Sequence, residues 1–437
     1  MNEATVLADE RAEARSADVG RGALRKATWR LLPLIGLGYG IAYMDRINIS
    51  FAALQMNRDL QFSDTVYGLG GGLFFLSYAL CEVPSNMMLM RFGARRWIAR
   101  IMFTWGLLAV GMMFVRTPTQ FYVMRFLLGA AEAGFFPGVV FYLMHWFPAH
   151  ERGRAISRFY VALPISSIVM GSLAGMLLGL QGHMGMAGWQ WLFLVEGLPA
   201  IALSVVILFA LPDSPAEARW LTAAERDWIA TNLAADDSLP GVSVDVGVLR
   251  ALVDPRVWAL GVCGMCILGA AYAFSLSAPM VLQGVTHLDA TGIGFLIAGV
   301  AVLGAISMIA AGWYSDRRRE RHGHVAVFLL GMALAFLAMG LSVTPWVVVL
   351  AYAATIVFGN AIQAVIHLIP SDVLRGRSAA SGIAAIGSIG MIGSFIGPYA
   401  WGLAKDYTGS FQAGLLALTV PYLVAMTIVL VLRQRIR

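Results

Sequence analysis

Twelve long apolar segments constrain this chain more than any other feature of its sequence. A helix needs roughly 20 apolar residues to cross the hydrocarbon core of a bilayer. Inside lipid, backbone N–H and C=O groups must bond to one another, and a continuous helix satisfies them. Only 13% of the residues are charged, whereas soluble domains average about 25%. The sequence therefore predicts an all-α integral membrane protein with twelve transmembrane helices. These predicted spans, 1 to 12 in chain order, cover residues 31–54, 66–90, 97–115, 119–146, 156–180, 189–211, 256–282, 290–313, 324–342, 346–370, 378–404 and 411–433.

A long polar interval separates the first six spans from the last six. It holds Pro, Asp and Glu, which predicts a soluble loop with a short amphipathic helix. The predicted domains are an N-terminal cytoplasmic tail (1–30), a first six-helix half (31–211), a cytoplasmic central loop (212–255), a second six-helix half (256–433) and a C-terminal cytoplasmic tail (434–437).

The basic residues predict the orientation of the chain. Lys and Arg are enriched in cytoplasmic loops. With the N-terminus inside, 26 of the 31 basic residues fall on the cytoplasmic side, three (Arg58, Arg116 and Lys405) fall outside, and Arg46 and Arg125 lie within spans. We therefore expect a multi-pass protein of the cell (inner or plasma) membrane with both termini cytoplasmic. The net charge of +6 then reflects orientation, so nucleic acid is not an expected partner.

Two basic motifs recur between the halves and indicate an internal repeat. The first is "NMMLMRFGARR" at 86–96 after span 2, matched by "GWYSDRRRER" at 312–321 after span 8. The second is "RGRA" at 152–155, matched by "RGRS" at 375–378. The two offsets differ by only three residues, which predicts two related six-helix halves around a central cavity. In transporters built from such repeats, the substrate site lies near the membrane midplane between the halves.

Four charged residues lie deep inside the predicted spans. Asp45 and Arg46 stand in span 1, and Arg125 and Glu132 stand in span 4. Charges at this depth are rare and usually functional. Arg125 and Glu132 are seven residues apart, which places them on one helix face about 10 Å from each other. Asp45 and Glu132 are the only deep acids that the pattern predicts.

These charges allow two interpretations. They could form ion pairs that only fix helix packing, although buried pairs are poor stabilisers. Alternatively, they form a proton-coupled anion site, since burial favours the neutral acid and a nearby arginine favours the carboxylate. Moving the arginine onto a substrate anion would then release the acid to take up a proton. The residues alone do not assign the two roles separately.

Weaker candidates surround this group. Glu82 and Glu196 lie near span ends and are predicted to be structural. His367 in span 10 either contacts substrate or binds backbone. Aromatic residues in spans more often serve packing, but three are plausible cavity residues: Tyr43, Tyr78 and Tyr272.

Glycine and proline mark two further points in the first half. Gly134 and Pro137 either kink span 4 beside its glutamate or reflect the ordinary frequency of these residues in membrane helices. Gly171, Gly175 and Gly179 form a double G-x-x-x-G in span 5, which predicts close helix packing.

Several motifs together resemble the major facilitator superfamily. "GWYSDRRRER" resembles its signature loop after spans 2 and 8. "YMDRINISFAALQMNRDL", "RFLLGAAEAGFFPG", "WFPAHERGRA" and "GWQWLFLVEGLPA" resemble the anion:cation symporter family within it, with tartrate- and phthalate-type carboxylate permeases nearest. The resemblance covers the chain after residue 28. It implies conformational gating by residues of the signature loops: Arg91, Gly93, Gly312, Asp316 and Arg317. Asn86 and Met90 depart from the family's glycine and aspartate.

The resemblance also implies roles for the deep charges. Acids at the positions of Asp45 and Glu132 are linked to protonation, and arginines at those of Arg46 and Arg125 to anion binding. Gly387 and Met391 replace asparagines that often stand in span 11 of relatives. Their loss favours a less hydroxylated or aromatic carboxylate.

The predicted function is a secondary active transporter that imports a small organic anion with protons by alternating access, its substrate resembling tartrate, phthalate or another aromatic acid. The alternative is a proton-independent facilitator or anion exchanger of the same fold. Whether the coupling ion is a proton or sodium stays open.

The short loops carry no nucleophile cluster, so an enzyme is not expected. No cofactor or metal is expected either, since Cys263 and Cys266 read as small apolar residues. The expected partners are the anion, protons and the bilayer, and the expected state is a monomer.

Overall fold

The chain is almost entirely helical in the computed structural model, which describes residues 3–237, 254–318, 320–367, 369–370, 374 and 379–436. No strand occurs within these ranges. The first half contains α1 (Glu3–Asp59), α2 (Asp64–Phe92), α3 (Ala94–Gly111), α4 (Pro118–Glu132), α5 (Phe135–Met144), α6 (Ala149–Tyr160), α7 (Ala162–Leu178) and α8 (Gly188–Ala210). The central loop contains α9 (Ala223–Asp237). The second half contains α10 (Pro255–Thr286), α11 (Ala290–Arg318), α12 (His322–Leu341), α13 (Pro345–Ile366), α14 (Ala379–Thr408) and α15 (Phe411–Ile436).

Ten segments of the described chain are long and apolar enough to cross a membrane. They coincide with spans 2 to 10 and 12. The two other predicted spans lie in α1, which has 57 residues, and α14, which has 30 residues. Both helices exceed the roughly 20 residues that a crossing needs. The twelve-helix all-α fold predicted from hydropathy is confirmed.

Helix α1 extends far beyond span 1. It begins at Glu3, so the predicted N-terminal tail is helical and continuous with the first membrane helix. Ala23 and Ala27 are fully buried one turn apart, and Lys26 donates a hydrogen bond of 2.8 Å to Glu225 of α9. Burial opposes the ionisation of Glu225, but bonds from Lys26 and Thr222 hold its pKa below the usual range. The tail is therefore packed against the central loop.

The central loop contains the predicted short helix. In α9, Ile229 is fully buried while Asp227 and Ala230 are exposed, as expected for an amphipathic helix on a protein surface. Residues 238–253 of the predicted loop lie outside the described ranges, as does the "RGRS" motif at 375–378.

Span 4 is broken beside Glu132. Helix α4 ends at Glu132, Gly134 adopts a left-handed conformation with φ +85°, and α5 begins at Phe135. Glycine tolerates this conformation without steric cost, and Pro137 in the first turn of α5 needs no N–H partner. Interrupted membrane helices of this kind expose backbone and side chains at transport sites. The Gly134–Pro137 pattern thus marks a real helix break.

The two halves meet through close helix contacts. Helix α2 packs on α14, where Gly72 lies against the Phe395 carbonyl. Helix α7 packs on α11, where Gly171 lies against Gly294 and Gly175 accepts a 3.1 Å bond from Thr291. The predicted packing role of the span 5 glycines is confirmed for the first two. Gly179 instead meets only its own helix.

An acidic residue also joins the two halves, at the end of the molecule where α2 begins. Asp406, at the end of α14, accepts hydrogen bonds from the backbone N–H groups of Asp64 (3.1 Å) and Thr65 (2.8 Å) in the first turn of α2. A carboxylate at a helix N-terminus satisfies free N–H groups and opposes the positive end of the helix dipole. In the predicted orientation, all these contacts lie on the outer side of the membrane.

Candidate functional site

The centre of the candidate site is an ion pair between spans 1 and 4. Both Nε and Nη2 of Arg46 in α1 lie 2.7 Å from the same oxygen, Oε1 of Glu132. Glu132 is fully buried, whereas 18% of the Arg46 side chain is exposed. The other oxygen, Glu132 Oε2, is buried without a hydrogen-bond partner. One lone carboxylate oxygen therefore remains free for a proton.

The sequence places Arg125 on the same helix face as Glu132 but leaves the ion-pair partner of Glu132 open. The ion pair of Glu132 is with Arg46 on another helix. Glu132 is the last residue of α4, and the long Arg46 side chain reaches it from α1. The charge of Glu132 still acts on Arg125, but the charge of Asp45 acts more strongly. Helix periodicity placed Arg125 and Glu132 on one face of span 4, but it could not identify an ion-pair partner of Glu132 on another helix.

Arg125 lacks an ion-pair partner within the described residues. Its side chain is 1% exposed, its Nε donates a long 3.4 Å bond to the Gly70 carbonyl, and its Nη2 is buried without a partner. The guanidinium carbon lies 4.7 Å from the centre of the Phe74 ring. An aromatic face contributes about 0.5–2 kcal/mol to such a cation, which is less than a carboxylate would. The site thus contains a buried cation with capacity for an anion.

Aromatic rings form a platform around both arginines. The Arg46 guanidinium lies 4.9 Å from the Tyr78 ring centre and 6.0 Å from that of Phe74. Phe74 therefore contacts both cations, a role that the sequence reasoning missed because an apolar residue in an apolar run gives no signal. The predicted substrate residue Tyr78 does join the cluster.

Asp45 is held by its own helix. It is 2% exposed, and its Oδ1 accepts a 3.2 Å bond from Asn48 one turn later, while its Oδ2 is buried without a partner. The charges of Glu132, Arg125 and Arg46 all act on it. The four deep residues predicted from the sequence therefore form one electrostatic cluster.

Glu196, which the sequence analysis placed near a span end, is a third buried acid beside Asp45 and Glu132. It is the ninth residue of α8, is 4% exposed, and interacts with Asn48. Its burial was not predicted, because the position of a residue along a span does not show which face of the helix packs against its neighbours. Glu82, by contrast, is partly exposed in the C-terminal half of α2.

Of the other predicted site residues, Tyr43 and Tyr272 lie beside the charge cluster, and His367 does not contact it by a hydrogen bond among the described residues. Tyr43 interacts with Ser167 and with Tyr272 of the second half. The Tyr272 ring lies 4.1 Å from that of Phe75, so aromatic side chains from both halves meet beside the cluster. His367 is exposed just after the end of α13 and bonds to Gln363 of its own helix at 2.8 Å. It is not joined to the charge cluster by a hydrogen bond in the described part of the chain.

The predicted gating residues lie at the loops that follow α2 and α11. Arg91 is exposed in the last turn of α2, and Gly93 takes φ +85° between α2 and α3. Gly312 lies within α11, and Arg317 is exposed against the Trp313 ring at 5.4 Å. The side chain of Asp316 lies outside the described set. Met90, where the resembled family has an aspartate, is 65% exposed.

A carboxylate that the sequence reasoning missed stabilises the first of these loops. Asp213, just after α8, accepts a 2.8 Å bond from the Arg95 backbone and forms a 3.2 Å ion pair with its side chain. Glu217 lies 3.7 Å from the same guanidinium. The first turn of α3 is therefore capped by acids from the loop after span 6.

Two sets of six membrane-length helices and a cluster of buried charges are features of a multi-pass membrane transporter. The sequence matches the Major Facilitator Superfamily over residues 35–398 and 263–436. It is 42% identical to a "Putative tartrate transporter" of Agrobacterium vitis, covering 95% of this chain and 92% of that protein. It is also 42% identical to the "Putative metabolite transport protein NicT" of Pseudomonas putida, covering 89% and 90%. The chain belongs to the Major Facilitator Superfamily.

A solved structure agrees on the fold. A bacterial homolog of the human lysosomal transporter Spinster superposes with a TM-score of 0.79 at 16% identity, covering 93% of this chain and 97% of that one. The prediction of this superfamily from the signature loop and the other sequence motifs is confirmed, including the resemblance to tartrate-type permeases.

Proposed function

We propose that this protein imports a small organic carboxylate together with protons. The observation that carries the proposal is Arg125, a buried guanidinium without an ion-pair partner among the described residues, beside two acids that each have one unpartnered oxygen. A carboxylate ligand matches an arginine through two parallel hydrogen bonds. The relative named as a tartrate transporter supports the same substrate class.

Coupling follows from competition for the arginines. Arg46 holds Glu132 as a carboxylate in the absence of substrate. When a substrate anion attracts Arg46 or Arg125, the acids lose part of their compensating charge in a low-dielectric site, which favours proton binding. Asp45 and Glu132 are the proposed proton carriers, and the substrate replaces them as partner of the cations. Net movement of one anion with a proton keeps the buried charge balanced.

The rings around the cluster suggest a substrate with an apolar body. Phe74, Tyr78, Tyr43 and Tyr272 contribute aromatic surface, and Met391 of α14 packs on the first-half core near them. We therefore favour aromatic or weakly hydroxylated carboxylates over sugar acids.

The test is transport by purified protein in proteoliposomes. Labelled tartrate, phthalate and benzoate would be offered with and without an inwardly directed proton gradient, and with a sodium gradient of equal size. Accumulation driven only by the proton gradient supports the proposal. Equal uptake with no gradient would favour the proton-independent facilitator or exchanger. Accumulation driven by the sodium gradient would show that sodium, rather than the proton, is the coupling ion.

We infer that the protein lies in the cytoplasmic (inner) membrane with both termini and the central loop inside, on the basis of the basic-residue bias. In a variant without native cysteines, a cysteine replacing exposed Ala224 of α9 should resist an impermeant thiol reagent added to intact cells. A cysteine replacing exposed Thr119, at the start of span 4, should react. The reverse labelling pattern would invert the topology.

We further propose alternating access, with the Asp406 cap as part of the outer gate. Asp406→Asn removes the charge at the start of α2, and a charge at an exposed helix end contributes about 0.3–1 kcal/mol. The closed outer side should therefore open about two- to fivefold more often. Spin labels at Thr119 and Val343, exposed outer positions of the two halves, would report this as a larger long-distance population.

Asp289 supplies the matched control for this experiment. It is also exposed at the outer end and bonds to the Gly292 N–H at 2.8 Å, but this bond stays within one half. Asp289→Asn should leave the distance distribution unchanged. Identical distributions for the wild type and Asp406→Asn would remove Asp406 from the gate.

A further inference from the structure

Glu196 is buried without compensation. It lies where α8 approaches α3 so closely that a side-chain carbon on the next residue, Gly197, would lie 2.8 Å from the Val110 backbone nitrogen. Both carboxylate oxygens are buried and receive no hydrogen bond of normal length. An isolated ionised carboxylate in such a place costs far more free energy than its neutral form.

Asn48 connects Glu196 to the charge cluster. Its amide nitrogen donates to Asp45 Oδ1 at 3.2 Å, and its side chain also interacts with Glu196. Asn48 is 1% exposed, and its own Oδ1 has no partner. Asp45, Asn48 and Glu196 thus present four buried oxygens without donors. Protonation converts a carboxylate from a pure acceptor into a donor, which would satisfy such an excess of acceptors.

Neither arginine forms an ion pair with Glu196 among the described residues. Arg46 pairs with Glu132, and the Arg125 charge acts on Asp45. Helix α8 packs against α1, α3 and α7, and among the described charged residues Asp45 is the one whose charge acts on Glu196. That charge has the same sign, so it adds to the cost of ionising Glu196.

We infer that Glu196 is a proton-binding positioning residue of the transport site, whose protonated carboxyl donates to Asn48 Oδ1 and so holds the Asn48 amide on Asp45. This role rests on the proposed function, because it acts on the proposed proton carrier Asp45. Glu196 touches no substrate in this scheme. It keeps Asp45 ionised until substrate binds.

An infrared spectrum tests the protonation directly. At neutral pH the purified protein should show a carbonyl band of a protonated carboxylic acid, and this band should lose intensity in Glu196→Gln. Asp59→Asn is the matched control, because Asp59 is an exposed acid bonded to Trp189 and should not contribute. An unchanged band in Glu196→Gln would overturn the inference whether or not transport is proton-coupled.

Two variants separate positioning from packing. Glutamine keeps a donor for Asn48, whereas methionine keeps volume and loses every polar group. Glu196→Gln should preserve the pH profile of uptake, and Glu196→Met should move it by about one unit to higher pH, since loss of one hydrogen bond to a charged group is worth about 1.5 kcal/mol or more. Equal profiles for both variants would mean that Glu196 only packs. Absence of proton-driven uptake in the wild type, with the infrared band present, would instead remove the proposed function and leave the protonation standing.

Discussion

Replacing Arg125 by alanine is expected to abolish substrate uptake. Removal of one member of a buried charge pair costs about 2–5 kcal/mol, which corresponds to a loss of about 30-fold to several thousandfold in affinity. Arg125→Lys should fare almost as badly, because lysine keeps the charge but lacks the planar pair of donors. The measurement is substrate affinity by thermal shift, combined with uptake in proteoliposomes.

Arg100 provides a control for the loss of an arginine inside a span. It lies in α3, stacked on Trp97 at 3.8 Å, away from the charge cluster. Arg100→Ala should leave affinity unchanged within about threefold. Normal uptake by Arg125→Ala would exclude Arg125 from the site. Normal uptake by the lysine variant alone would show that only the charge matters.

A substrate anion can reach Arg125 only after a change in conformation. Its side chain is 1% exposed in a conformation whose halves are closed at the predicted outer side. Arg46 is the more exposed of the two cations. We therefore expect the anion to reach Arg125 only after the contacts between α2 and α14 open, and to leave past Arg46 when they close. This asymmetry links the two arginines to opposite stages of transport.

Most of the fold follows from local sequence properties. The spans are set by length and hydropathy, which depend only on neighbouring residues. The break in span 4 is also local, since Gly134 can take a positive φ that other residues avoid. The depth of Asp45 and Arg125 follows directly from their position within an apolar run.

The partners within the site depend on packing between distant segments and were less predictable. The Arg46–Glu132 pair joins residues 86 positions apart, and its choice over an Arg125–Glu132 pair depends on how α1 meets the end of α4. The contact between Asn48 and Asp45 could have been predicted, because the two residues are one helical turn apart. The contact of Phe74 with two guanidinium groups could not, because in sequence it looks the same as ordinary core packing.

The largest effect on coupling is expected from neutralising the two acids nearest the arginines. Asp45→Asn and Glu132→Gln keep shape and hydrogen-bonding capacity but cannot bind and release a proton. Accumulation of substrate driven by a proton gradient should fall to the equilibrium level in both variants. Exchange of substrate for substrate should survive within about threefold, since the arginines remain. Glu132→Gln should have the stronger effect, because Glu132 is fully buried and directly paired with Arg46, so its loss frees a cation as well as a proton site.

Driven uptake and counterflow in proteoliposomes distinguish coupling from structural support, with Asp59→Asn as the acid-neutralising control. Loss of driven uptake with counterflow retained assigns the coupled proton to these acids. If both variants still accumulate substrate in response to the proton gradient, the acids do not carry the proton, and the proton-independent mechanism gains support. If counterflow collapses as well, the ion pair is mainly structural. Breaking a buried salt bridge leaves an unpaired charge, which costs about 3–5 kcal/mol.

The double variant Arg46→Met/Glu132→Met then distinguishes a structural role of the pair from a role in coupling. An apolar pair of similar volume restores packing but not coupling. Recovery of folded protein without driven uptake would therefore separate the two roles.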